Sequence, residues 1–168
     1  ARLPFCGTSI GLLKDNEPVL GVLYFPILDE LYTAIKDEGA QCNGQPIKVK
    51  PVEKLSEALI TEIFSDRVNR GREVTYPPGL AFRKFGSAVT SLAFLAHGRI
   101  QATALRCYLW DITAAAAIIR AAGGRIEWQQ DDAQDVRSPL TCFASSPAIF
   151  DEFRAFAQSE YDRYPERL

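Results

Sequence analysis

Between Asp111 and Ala122 the chain reads DITAAAAIIRAA, and this stretch constrains the fold more tightly than any other. Alanine has the highest helix propensity, and Gly123-Gly124 supplies the stop, so the run reads as a helix. Its surface is small and apolar nearly all round, without the polar stripe of a helix that faces water on one side. Such a helix must be covered on more than one side, which calls for a layered fold. Asp111 stands where an N-cap is expected, accepting orphan backbone N–H groups. The acid that would complete a capping box is missing, because position 114 is alanine. Trp110 and the packed helix would hold the Asp111 carboxylate rigidly, as a metal site requires.

The rest of the chain supplies the layers. Thr8–Lys14, Val19–Phe25 and Glu30–Lys36 read as strands, with turns at Asp15-Asn16-Glu17-Pro18 and Asp37-Glu38-Gly39. Asn43-Gly44 is a hairpin signal that opens onto Pro46–Val49. This predicts an antiparallel meander. A short helical stretch is expected near Lys54–Ala58, then a buried strand over Leu59–Phe64 and a polar loop from Ser65 to Ala81. Ser87 should cap a helix running to His97, with Gly98 at its end. Further strands are expected at Ile100–Leu105, Arg125–Trp128 and Thr141–Ser145, and a closing helix over Pro147–Gln158. Strands first and βαβ-like alternation afterwards point to a layered α/β (α+β) fold with a mixed sheet. We expect one domain over residues 1–168, with 1–64 completing a first sheet layer and 65–168 forming a second α/β half.

Composition narrows the function. A net charge of −2, with no basic run longer than a pair, gives no electrostatic footprint for nucleic acid. Arg67, Arg70 and Arg72 read as a solvated loop. No apolar run is long enough to span a membrane. Four cysteines lie far apart with a single histidine, His97, so zinc ligation is not expected and buried, reduced thiols are. That inventory suits a reducing cytoplasm. Gly7-Thr8-Ser9-Ile10-Gly11 matches the G-x-S-x-G of a serine hydrolase, which needs a strand-to-helix turn to present the serine beside a histidine. Here the strand pattern runs on past Ser9, so Ser9 is expected to be structural.

Four segments in order carry a resemblance. They are Leu3–Val49 (LPFCGTSIGLLKDNEPVLGVLYFPILDELYTAIKDEGAQCNGQPIKV), Ala58–Arg67 (ALITEIFSDR), Phe85–Ala88 (FGSA) and Trp110–Gly124 (WDITAAAAIIRAAGG). Together they resemble the inositol monophosphatase family of magnesium-dependent sugar and cyclitol phosphatases. The resemblance implies an α-β-α-β-α sandwich, usually a homodimer, that hydrolyses a small phosphate monoester with Mg²⁺. It implies that Asp111 is a metal ligand and that Gly86, Ser87 and Ala88 line the ring-binding side of the pocket. Members carry a further glutamate and an acidic D-P-[IL]-D-G-T segment upstream of the block matching Leu3–Leu12, and neither occurs here. The chain also lacks methionine at position 1, so we expect its N-terminal portion to be absent and these residues alone to be inactive.

The chemistry agrees that one carboxylate is too few. Mg²⁺ holds a strict octahedron of oxygens and sheds water reluctantly, so several oxygens must converge. Inositol-specific members carry a glutamate several residues before the W-D pair; this chain reads Ala104-Leu105-Arg106-Cys107-Tyr108-Leu109 there. Arg106 is therefore expected near the substrate, favouring an anionic group. Histidinol phosphate and sugar phosphates stand beside inositol monophosphate as substrates. A non-catalytic binding protein on the same fold is the alternative from another class, with a serine hydrolase more remote.

Overall fold

The computed structural model describes residues 4–63, 76–77 and 79–163. The first sheet is the expected antiparallel meander of β1 (Thr8–Lys14), β2 (Glu17–Phe25), β3 (Glu30–Ile35), β4 (Gly39–Cys42) and β5 (Gln45–Pro46), in that order. Its turns follow from residue chemistry. Asp15 and Asn16 take φ of 52° and 62°, and Asn43 and Gly44 take 50° and 75°. Those left-handed pairs are what two-residue hairpins need to match strand twist. The segment after Gly44 pairs for only two residues. Beyond it Ile47 donates its N–H to Ala40 O, and Val49 donates to Ala122 O, both at 3.0 Å.

The second sheet contains β6 (Leu59–Ile63), β7 (Ala81–Arg83), β8 (Ala102–Cys107), β9 (Arg125–Gln130) and β10 (Leu140–Ser145), ordered β7-β6-β8-β10-β9. β6 runs parallel to β7 and β8, and the other pairs are antiparallel. The mixed sheet is thus as expected. β6 opens it, however, so the change of sheet falls after Pro46 and not at residue 64. β7 starts at Ala81, where the expected loop ends, and no sequence signal marks it; Phe64 and the arginines 67, 70 and 72 lie outside the described residues.

Two helices fill the space between the sheets: α1 (Ala88–Ala96) and α2 (Leu109–Ala121). A third, α3 (Phe150–Asp162), packs on the far face of the second sheet after a 3-10 turn at Pro147–Ile149. The described residues therefore stack as β-α-β-α. α2 is buried from Ile112 to Ile119, as its all-round apolar surface requires. Its alanines have a partner in the first sheet. A Cβ on Gly21 would lie 2.1 Å from Ala114 O, and one on Gly11 would lie 2.6 Å from Ala114 N. Sheet and helix meet backbone to backbone, and only glycine facing alanine permits that approach.

The strands alternate as a sheet between two environments should. Leu23, Phe25, Tyr32 and Ala34 are buried toward α2. Ile10, Leu12, Leu31 and Ile35 lie on the outer face, 41–58% exposed among the described residues.

Candidate active site

α1 and α2 lie side by side and run parallel, because both C-terminal ends meet the same segment. At Gly98, just past α1, a Cβ would lie 2.9 Å from Lys48 O; at the end of α2, Ala122 O accepts the Val49 N–H. Their N-termini consequently share the opposite pole. The chain entering β1 crosses that pole: the Phe5 ring is 5.3 Å from Phe85, and Ser9 Oγ donates to Trp110 O at 3.5 Å. Parallel β6 and β8 both run toward it. The Gly86–Ala88 turn and Asp111 therefore lie at the same pole, at the end where two helix dipoles present their positive ends.

Each helix start is capped differently. Ser87 is the N-cap of α1; its Oγ accepts the Thr90 N–H at 3.3 Å. Asp111 is not the N-cap of α2. The helix begins earlier, at Leu109, with Tyr108 as N-cap and Asp111 as the third helical residue. Asp111 Oδ2 accepts the Tyr108 backbone N–H at 3.0 Å. Asp111 thus fills the role of the capping-box acid, one turn ahead of position 114. The carboxyl is half-buried; burial pushes its pKa up, and the Tyr108 N–H only partly offsets that. Among the described residues Oδ1 has no hydrogen-bond partner. Tyr108 and Trp110 stack at 4.6 Å beside it, both exposed.

A magnesium ion fits this pole in part. Asp111 offers one open, anionic oxygen in a place of raised pKa that a cation would reverse. Among the described residues, however, Asp111 belongs to no group of three or more side chains able to hold a metal ion. The octahedron is incomplete with these residues alone.

Arg106 departs from its expected place. Ala102 and Ala104, on the same strand face, pack in the cluster with α3, whereas Leu105 and Cys107 face α1 and α2. Arg106 thus projects to the α3 side of the second sheet, away from Asp111. Its guanidinium is bound by both Asp131 oxygens and by Thr141 Oγ1, with 8% of the side chain exposed. The serine-hydrolase pattern has no catalytic geometry: Ser9 pairs with Leu23 inside β1. His97 lies at the other pole, where its Nδ1 is 3.2 Å from the Tyr32 hydroxyl.

That other pole holds two features the sequence did not suggest. Glu30, Cys42 and His97 approach within 4.8 Å of one another. The Tyr32 hydroxyl sits among them, donating to Glu30 Oε2 at 2.6 Å, and Arg99 engages both Glu30 oxygens. All four cysteines are free thiols, and burial pushes Cys107 and Cys142 up, Cys142 to about 12. A cleft of about 340 Å³, lined by Glu17, Lys36, Asp37 and Arg120 among others, opens beside the C-terminal end of α2, far from Asp111.

A residue that sequence reasoning missed is Glu62, which reaches the Gly86–Ala88 turn from β6 through the Phe85 and Gly86 N–H groups. The signal was present: one carboxylate inside the apolar run Leu59–Ile63.

The two sheets and the helices between them define a mixed α/β protein. The chain belongs to the inositol monophosphatase family, whose profile matches residues 1–161. It is 35% identical over 169 residues to inositol monophosphatase 1 of Solanum lycopersicum, covering 94% of this chain and 62% of that protein. It is 35% identical over 130 residues to the fructose-1,6-bisphosphatase/inositol-1-monophosphatase of Aquifex aeolicus, covering 72% and 49%. The inositol monophosphatase structure from Anabaena (Nostoc) sp. PCC 7120 superposes with a TM-score of 0.75 at 28% identity, covering 93% of this chain and 65% of that one. The chain thus spans about half to two thirds of the length of these relatives. No helix among the described residues is long and apolar enough to cross a membrane.

Proposed function

We propose that the protein is a Mg²⁺-dependent phosphomonoesterase of small hydroxylated compounds, with Asp111 as a metal ligand and Gly86, Ser87 and Ala88 as one wall of the substrate site. The observation that carries this reading is the shared pole: a half-buried carboxylate with one open oxygen beside the turn, where two parallel helices begin. The helix ends favour an anionic phosphoryl group there, and Asp111 supplies a cation with a fixed oxygen. When bound, the metal would activate water and neutralise the leaving oxygen. The reading requires further oxygen ligands from outside the described residues.

The substrate class is a small-molecule phosphate monoester: inositol monophosphate, a sugar phosphate or histidinol phosphate. The relatives' names support the first two. A preference for a second anionic group loses its basis, because Arg106 is committed to Asp131. Cytoplasmic location and a homodimer complete the proposal; the free thiols support the former.

One observation favours a second reading. Asp111 joins no group of three or more metal-ligating side chains among the described residues, as it would in a binding protein that kept the fold and lost catalysis. Phosphate release from inositol monophosphate across a Mg²⁺ titration separates the two. Turnover that rises with Mg²⁺ supports the enzyme; saturable binding without turnover supports the binding protein.

A further inference from the structure

Glu62 is held in an unusual backbone state. Its φ is 42°, in the left-handed region that residues with a side chain rarely enter. The pairing of β6 with β8 skips it: Thr61 lies opposite Thr103, and Ile63 lies opposite Ala104. That is a bulge, a device that re-aims a side chain at the end of a strand. Here the carboxylate is turned to the loop before α1. One oxygen, Oε1, accepts the N–H of Phe85 at 2.5 Å and that of Gly86 at 2.6 Å. Glu62 is 3% exposed. A carboxylate so buried is tolerable only when hydrogen bonds replace its lost water, and charge-assisted bonds to two amides are strong ones.

We propose that Glu62 is a positioning residue for substrate recognition: it locks the Gly86–Ala88 turn in the shape that forms the substrate wall. The inference rests on the phosphatase reading above. Strained backbone persists where its surroundings over-determine it, and such positions gather at functional sites. The two amides that Glu62 holds immediately precede the N-cap Ser87, so it controls how the chain enters α1. Gly86 itself is left-handed, with φ of 69°, and among the described residues no atom beyond its chain neighbours lies within 4 Å of where its Cβ would be. The turn is therefore fixed from the inside by Glu62 and left open on the outside, where a hydroxylated ring can approach the backbone. With the Phe85 and Gly86 N–H groups occupied, the wall offers neither of them to an anion. It suits the neutral part of a substrate.

The test compares the parent protein with Glu62→Gly and Glu62→Gln. Glycine removes the carboxylate yet adopts the left-handed backbone freely, so this variant keeps β6 intact. Glutamine keeps an acceptor oxygen. The Gly86 amide proton, read by NMR, should move upfield in Glu62→Gly, as loss of a short bond to a carboxylate demands. With inositol monophosphate as substrate, KM should rise at least tenfold in Glu62→Gly while kcat stays within about threefold, and Glu62→Gln should recover much of the loss. An unmoved Gly86 amide, or an unchanged KM despite a moved amide, overturns the proposal and leaves the phosphatase reading standing. If the parent shows no turnover, the phosphatase reading fails first. Calorimetric binding of inositol monophosphate then decides: weaker binding in Glu62→Gly upholds the positioning role, and equal or absent binding overturns it.

Discussion

Tyr108 and Asp111 close the first turn of α2 on each other: the Tyr108 N–H donates to Asp111 Oδ2, and the Asp111 N–H donates to the Tyr108 carbonyl, both at 3.0 Å. The carboxylate that we assign to the metal is thereby also a structural cap, and the two roles separate by substitution. Asparagine keeps an oxygen for the Tyr108 N–H, whereas alanine does not. Asp111→Ala should lose roughly 1 kcal/mol of stability, the usual cost of a lost helix cap. Asp111→Asn should lose clearly less, as read from urea midpoints at constant m-value.

Gly21 makes a sharper stability prediction. A methyl at that position would meet Ala114 O at 2.1 Å, backbone against backbone, with no flexible side chain to give way. Gly21→Ala should destabilise by at least the roughly 1–3 kcal/mol typical of overpacking. The larger part of that loss should return in no Ala114 variant, since the clash is with the main chain. Chemical denaturation of the single and double variants checks this.

Arg106 is predicted to matter for folding and not for substrate. Arg106→Met keeps the buried stem but gives up the pair with Asp131. Because the Asp131 side chain is 40% exposed, water can take over much of its solvation. A loss of about 1 kcal/mol is expected after that screening. KM for a monophosphate substrate should stay within a few-fold of the parent; a tenfold change would return Arg106 to the substrate site.

The far pole sets an acid limit on stability. Burial would push the Glu30 carboxyl up, but hydrogen bonds from Arg99 and Tyr32, together with Arg99's charge, outweigh it and hold the pKa below 4.5. Its contribution is therefore complete above pH 4.5 and is lost as pH falls through the lowered folded value. Burial and Arg99 lower the pKa of His97 from 6.5. The unfolded chain thus binds that proton first, and stability declines as pH drops below about 6.5. Denaturation midpoints should fall in two stages, one beginning near pH 6.5 and one below 4.5. Glu30→Gln should shrink the second stage and, because the Glu30 charge raises the His97 pKa, deepen the first.

Most of the element order was legible because its signals are local. Asn43-Gly44 dictates a hairpin, Ser87 and Gly98 bracket α1, and the alanines of α2 announce a helix covered on both flanks. What escaped depends on tertiary context. β7 is three residues paired to β6, too short for a periodic signal. The start of α2 was placed at Asp111, because an aspartate before an apolar run reads as an N-cap; Leu109 and Trp110 are drawn into the helix once Asp111 reaches back to Tyr108. The resemblance sets Arg106 where inositol-specific members carry a substrate-binding glutamate, while the strand's alternation sends it to the opposite sheet face. Glu62 and the Glu30–Cys42–His97 approach join residues 12 to 67 positions apart, beyond what spacing reveals.

The most direct measurement is phosphate release from inositol monophosphate at saturating Mg²⁺ by protein that carries the further oxygen ligands, as parent and as Asp111→Asn, assayed together. The account predicts Mg²⁺-dependent turnover in the parent and a loss of at least a hundredfold in kcat/KM in the variant, with the unfolding midpoint little changed. Turnover within a few-fold of the parent in Asp111→Asn would contradict it, leaving Asp111 a helix cap and nothing more.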